Sequence, residues 1–259
     1  MNADKLFDYI IKILIAVLII IILFNIYTYI NYKKKYVPNN SINVSPITGE
    51  IITNVYNEDT LPISVNYTDI YENDSICGLG KADIIYEFID ENQKLNYNAI
   101  FYSNLPNNNY PISSIRTSKL DSIPSFNFKN AVDVDSNLIN AIYLFINLNN
   151  LYTSNFIYKD GVYEHFLGSL PHVDSLDKEI IKATNVVVQF VDDPISFQSS
   201  SKNDSGHGML FSSGKALNMK WVKDNNKTSI YDSNEVPLSI VRGNTWWVII
   251  DKSNSLIYK

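Results

Sequence analysis

Two acids and an arginine are the residues of this chain whose types and spacing best suit chemistry. Asp83 and Glu87 lie in the run Asp83-Ile84-Ile85-Tyr86-Glu87-Phe88, rich in β-branched and aromatic residues and read as a β-strand. On a strand, positions 83, 85 and 87 share a face, so both carboxyls point the same way. Two acids on one face can do general acid and base work on a glycan. Arg116 stands in the stretch ISSIRTSK and is one of two arginines, with Arg242, in a chain holding 21 Lys and Arg together. Where lysine is the habitual cation, an arginine points to a need for its planar fork, which grips a carboxylate or another anion through two parallel hydrogen bonds. The plainer reading of all three is structural: a solvated strand end, or an ion pair joining Arg116 to Asp83 or Glu87. Asp83, Glu87 and Arg116 are the candidate binding residues, and no catalytic residue is assigned.

Other constellations carry less. Ser199-x-x-Lys202 and Ser212-x-x-Lys215 match a nucleophile–base spacing that needs the serine at a helix start. The first falls in a Ser/Asn loop and the second in a Ser-Gly hairpin turn. Gly78-Leu79-Gly80 precedes a strand and does not join strand to helix, so it is no dinucleotide fingerprint. His172 with Asp174, or His207 between two glycines, has donor atoms suited to a metal, but no pair of the three histidines (His165 is the third) has zinc-site spacing. Asp224-Asn225-Asn226 and Asp232-Ser233-Asn234 lack the glycine and terminal glutamate of a calcium loop and read as β-turns. A single cysteine, Cys77, excludes an intrachain disulfide and a multi-cysteine metal site. No metal and no cofactor is expected.

The elements that must position these residues begin with an apolar run. Ile10 to Ile30 is interrupted only by Lys12, Asn25 and Thr28, and about 20 apolar residues in a helix span a hydrocarbon core. Tyr27, Tyr29 and Tyr32 suit the far interface, and the residues after the run do not resemble a cleavage site. The reading is a short tail (1–9), a transmembrane helix (10–32) and a polar linker (33–44). The one dense basic run, Lys33-Lys34-Lys35, follows the apolar segment as a membrane-surface anchor would. With a net charge of -6, nucleic acid is not expected as a partner. Lysine counts on the two sides of the span nearly balance, so charge leaves its orientation open.

Beyond the linker, strand signals dominate. Asp83–Phe88 and Asn98–Tyr102 flank a polar turn and form a hairpin. Ser136 to Asn147 has helical spacing with Ser136 as a cap. Asp160-Gly161 marks a tight hairpin. Asn185–Val191 is a near-continuous apolar run, hence a buried strand. Leu217, Met219 and Trp221 alternate with polar residues, and Asn244–Asp251 reads as a further strand. The expected class is α+β: a membrane-anchor helix, a mixed α/β N-terminal domain (45–153) and a mostly antiparallel β-rich C-terminal domain (154–259).

The ordered motifs SPITGE, GLGKADIIYEF, ISSIRTSK, NVVVQFVD, GHGMLFSSGKALNMKWVKDN and GNTWWVII, spread from Ser45 to Ile250, resemble the YerB-like family of bacterial lipoproteins. That resemblance implies two consecutive domains of unknown function, held outside the cytoplasmic membrane. The chain departs from the family pattern in lacking a lipid-attachment cysteine, in carrying Ser113-Ser114 where the pattern has Gly-Pro, and in having Lys119 where it has arginine. The family's middle region survives only as Asn149-Asn150-Leu151-Tyr152-Thr153. The functional expectation is a membrane-anchored envelope protein that binds a partner protein or wall polymer without catalysis. The alternative is an envelope hydrolase using Asp83, Glu87 and Arg116.

Overall fold

In this computed structural model, residues 44–52, 62–67, 76–102, 115–116, 124, 126–195, 203–224 and 227–259 are described, together with seven residues between 12 and 27. The chain separates into two compact units, Met1–Ile42 and Asn43–Lys259. Among the described residues no helix is long and apolar enough to cross a membrane. Most of the 10–32 segment and nearly all of the linker lie outside the described residues.

The described residues of the second unit form strands β1 (Ile63–Tyr67), β2 (Ile84–Ile89), β3 (Leu95–Phe101), β4 (Ile115–Arg116), β5 (Asn127–Lys129) and β6 (Ile139–Asn140). They continue through β7 (Tyr143–Asn147), β8 (Thr153–Lys159), β9 (Val162–Leu167), β10 (Leu170–Pro171), β11 (Lys182–Ala183) and β12 (Asn185–Val191). The last are β13 (Asp204–Ser212), β14 (Lys215–Asp224), β15 (Lys227–Tyr231), β16 (Ser239–Val241), β17 (Thr245–Asp251) and β18 (Leu256–Tyr258). The expected α+β class is therefore corrected to an almost wholly β architecture, in which the helical pieces among the described residues of the second unit are short: three-residue 3-10 turns at Leu79–Lys81 and Ala131–Asp133, and residues 194–195.

The expected helix over Ser136–Asn147 is the clearest correction, because β6 and β7 occupy it. Its apolar residues fit both periods on paper. In the fold they obey a period of two: Leu144 and Ile146 are buried, while Tyr143 and Phe145 are half exposed. β8 and β18 pair with β7 on either side and take up its backbone groups.

A ten-stranded sheet runs in the order β15-β14-β13-β12-β17-β2-β3-β1-β4, with β6 joined to β14. Its centre is parallel, β12 to β17 to β2, and its flanks are antiparallel. This explains the unbroken apolar runs of β12 and β17, since central parallel strands are covered on both faces. One face packs on a six-stranded sheet, β10-β9-β8-β7-β18 with β11 beside β9, through Ile85, Val186, Val188, Phe211 and Trp246 on one side and Leu144, Ile146, Phe156 and Tyr163 on the other. The opposite face holds Val187, Leu210, Trp221 and Trp247 beneath Ile47, Phe126 and Ile240.

Two hairpins use the backbone chemistry their turn residues allow. Asp160-Gly161 and Ser213-Gly214 both take positive φ at each residue, the conformation that matches strand twist in a two-residue turn. Gly208 in β13 answers a different need. A methyl group there would overlap the Val188 carbonyl oxygen of β12 and the Met219 side chain. Gly208→Ala is expected to destabilise the protein by about 1–3 kcal/mol, since the adjoining backbone has no room to yield. An unchanged urea midpoint would show that β12 shifts aside.

Candidate functional site

Glu87 lies at the middle of the large sheet, opposite Val248 of β17 and Tyr97 of β3. Ile85 and Glu87 face the six-stranded sheet, and Glu87 is 0% exposed. Its Oε2 accepts hydrogen bonds from Ser154 Oγ on β8 and Trp246 Nε1 on β17, both at 2.7 Å. Burial pushes its carboxyl up to about 7, against the opposing pull of Ser154, Trp246 and Tyr97. Ser154 Oγ lies 2.9 Å from His165 Nε2, and His165 Nδ1 lies 2.8 Å from His172 Nδ1. The Trp246 ring stacks on His165 at 4.1 Å between centroids. Burial drives His165 well below the usual histidine range, with His172 adding to the effect, and brings His172 down to about 4.

This order of groups is not that of a hydrolytic triad. There the serine hydrogen points to a histidine that the acid supports from behind. Here Ser154 donates to the acid itself, and all three side chains are fully buried.

Asp83, one residue before β2, has different work. It is 2% exposed, and its Oδ2 accepts the Tyr102 backbone N–H at 2.6 Å. Its own backbone joins Ile100 and Thr245, so it closes the end of the β2–β3 hairpin. Asp83 and Glu87 share no hydrogen-bond partner in these interactions. Arg116 stands opposite Ser64 on the edge strand β4, and its expected pairing with either acid lies outside the described residues.

Sequence reasoning passed over Ser154, His165, His172 and Trp246 as a set. The available signal was alternation: Ser154 and His165 occupy inward positions of β8 and β9, where the pattern calls for apolar side chains. Other motifs resolve as structural. Asp174 accepts the backbone N–H groups of Gly78, Gly80 and Leu176, tying down the Gly-Leu-Gly turn. Ser212 and Lys215 face each other across the Ser213-Gly214 turn, with Lys215 Nζ capping Ser136 and Leu138 carbonyls. His207 is exposed on β13, and among the described residues no cluster of three or more His, Cys, Asp or Glu is arranged to hold a metal. Asp232 caps the turn to Val236 through two backbone N–H groups. Arg242 is exposed, as its turn position suggested, and donates to the Gly49 carbonyl.

A second candidate lies on the outer face of the six-stranded sheet. Ile257, Phe145, Asn155 and Phe166 stand in one row across β18, β7, β8 and β9. Tyr143 adjoins them, with Lys259 Nζ 5.4 Å from its ring centroid. Together they line a groove of about 430 Å³. Phe145, Tyr143 and Ile257 are 42%, 50% and 62% exposed, a concentration of apolar surface that marks binding sites more often than bare solvent contact. Asn155 donates through Nδ2 to the Gly168 carbonyl, which leaves its buried Oδ1 with no hydrogen-bond partner.

Comparison with known proteins gives two consecutive matches. Residues 47–140 match the N-terminal domain, and residues 144–247 the C-terminal domain, of a protein of unknown function (DUF3048). The crystal structure of YerB protein from Bacillus subtilis is similar with a TM-score of 0.57 at 16% identity, covering 83% of this chain and 99% of that one. At that identity the likeness speaks for the fold alone. No curated protein matches the chain.

Proposed function

The chain belongs to the YerB-like family with its two DUF3048 domains, and on that premise we propose that it is a non-catalytic binding protein of the cell envelope whose ligand is a wall glycan. The observation that carries this reading is the groove on the six-stranded sheet. Sugar rings offer C–H faces to aromatic side chains, and Phe145, Phe166 and Tyr143 supply the rings that line the groove. The support for a place at the cell membrane, with residues 43–259 outside it, is the apolar run Ile10–Ile30 and the family resemblance.

The test is co-sedimentation of the detergent-solubilised full chain with purified cell-wall glycan, comparing wild type with Phe145→Ala. Losing a central ring from a binding surface costs about 2 kcal/mol or more, which is roughly a thirty-fold loss of affinity. Because Phe145 faces outward, its unfolding midpoint should stay close to wild type. Failure of the wild type to sediment, or equal sedimentation of both proteins, would overturn the reading. Capture of an envelope protein through the same groove without any glycan would overturn it as well.

A further inference from the structure

Four side chains cross the space between the sheets as one line of hydrogen bonds: Glu87 Oε2 to Ser154 Oγ, Ser154 Oγ to His165 Nε2, and His165 Nδ1 to His172 Nδ1. The line ends at His172 Nε2, which is buried and has no hydrogen-bond partner, in a residue only 6% exposed. Each intermediate group has one hydrogen to share, so the direction of every bond is set by its neighbour.

With Glu87 ionised, Ser154 donates to it. The serine oxygen then accepts from His165 Nε2–H, the bare His165 Nδ1 accepts from His172 Nδ1–H, and His172 Nε2 carries only a lone pair. With a proton on Glu87 Oε2, each bond runs the other way. The carboxyl donates to Ser154, Ser154 to His165 Nε2, His165 Nδ1–H to His172 Nδ1, and His172 Nε2 bears the hydrogen. The two states differ by one proton, added at His172 Nε2 and matched at the far end by the new O–H bond on Glu87. Trp246 Nε1 donates to the same carboxyl oxygen in both.

We propose that this line is a proton-linked switch, in which uptake of one proton reverses all three hydrogen bonds and converts the outer nitrogen of His172 from acceptor to donor. The inference stands apart from glycan binding. Glu87 has no exposed surface while His172 keeps 6%, so a proton entering at the His172 end and passed along the line reaches Oε2. The raised carboxyl and the two depressed imidazoles keep both rings neutral, which single tautomers require. The titratable groups packed around the line are Tyr97 of β3, beside His172 and Trp246, and Tyr67 of β1, opposite Tyr97. Asp174, two residues past His172, is turned toward the Gly78 and Gly80 amides. No ion pair to these four side chains occurs among the described residues.

The test is long-range proton–nitrogen NMR of the ¹⁵N-histidine full chain from about pH 5.5 to about pH 9, the range in which histidine tautomers are read. His165 should carry its hydrogen on Nε2 at high pH and on Nδ1 at low pH. His172 should move from Nδ1–H to Nε2–H with the same midpoint, near 7. In Glu87→Gln the amide oxygen, held by Trp246 N–H, keeps accepting from Ser154, and both rings should stay in the high-pH tautomers throughout. In Ser154→Ala the carboxyl should still titrate without the histidines following. Fixed wild-type tautomers while the Glu87 carboxyl titrates would place the proton on Oε1 and overturn the switch. So would a tautomer change that survives Glu87→Gln or Ser154→Ala.

Discussion

Trp221→Ala is expected to cost about 3–5 kcal/mol of stability, the range for deleting a large aromatic side chain from a packed core. Trp221 is 1% exposed and lies on β14 among Met219, Ile230 and Leu210. Its ring covers Gly206, where a methyl group would come within 2.7 Å of it. Its Nε1–H is shared between the Phe190 and His207 carbonyls, both at 3.1 Å. Truncation therefore empties a space that β12, β13 and β14 enclose, and it removes a donor joining β14 to β13 and to β12 beyond it. Backbone pairing holds all three strands, so the cavity has little freedom to collapse. Trp221→Phe keeps most of the apolar contact and should lose markedly less. Urea unfolding with an unchanged slope measures the difference. A value near zero for the alanine variant would mean that the ring is not packed.

The second large effect is a change in pH dependence. Unfolded, Glu87 releases its proton near 4.5, and folded near 7. Between those values the folded chain keeps a proton that the unfolded chain has given up. This contribution to stability is fully present below 4.5 and is lost as pH rises through 7. The difference of about 2.5 units, 7 less 4.5, corresponds to about 3 kcal/mol at 1.36 kcal/mol per unit. The histidines act in the opposite sense. His172 binds its proton near 6.5 when unfolded and about 4 when folded, and His165 is shifted the same way, so their contribution is lost as pH falls below 6.5. The cluster should give a stability maximum near pH 6.5, falling on both sides. Glu87→Gln should remove the alkaline fall and leave the acid one, so that the variant gains on wild type by up to about 3 kcal/mol between pH 5 and pH 8. Parallel stability curves would show that Glu87 is ionised in the folded protein throughout.

Much of the fold is legible residue by residue. Asn185–Val191 and Thr245–Asp251 announce buried strands through unbroken apolar content, and Asp160-Gly161 announces its hairpin through the backbone it tolerates. Ser136–Asn147 misleads because Leu144 and Ile146 satisfy either period until a partner strand chooses one. The candidate site was half legible. Glu87 stood out as an acid on a strand, but its partners lie 67 and 159 residues away in sequence. They meet because one sheet lies over another, which no local pattern records. The groove escaped notice for a related reason: Ile257, Phe145, Asn155 and Phe166 come from four strands and form a row only in register.

The position of β17 has a consequence for synthesis. β17 comes near the end of the chain yet fills the slot between β2 and β12, with both neighbours parallel to it. As the polypeptide grows, the β2–β3 hairpin and the β12–β13–β14 ribbon can each form early from antiparallel, short-range pairings. Each then waits with an open edge at what will become the middle of the sheet. Open edges invite pairing with the wrong strand, and non-local parallel pairing is slow. The nascent protein is thus two incomplete halves until Thr245–Asp251 emerges, and it is most exposed to misassembly just before β17 is made.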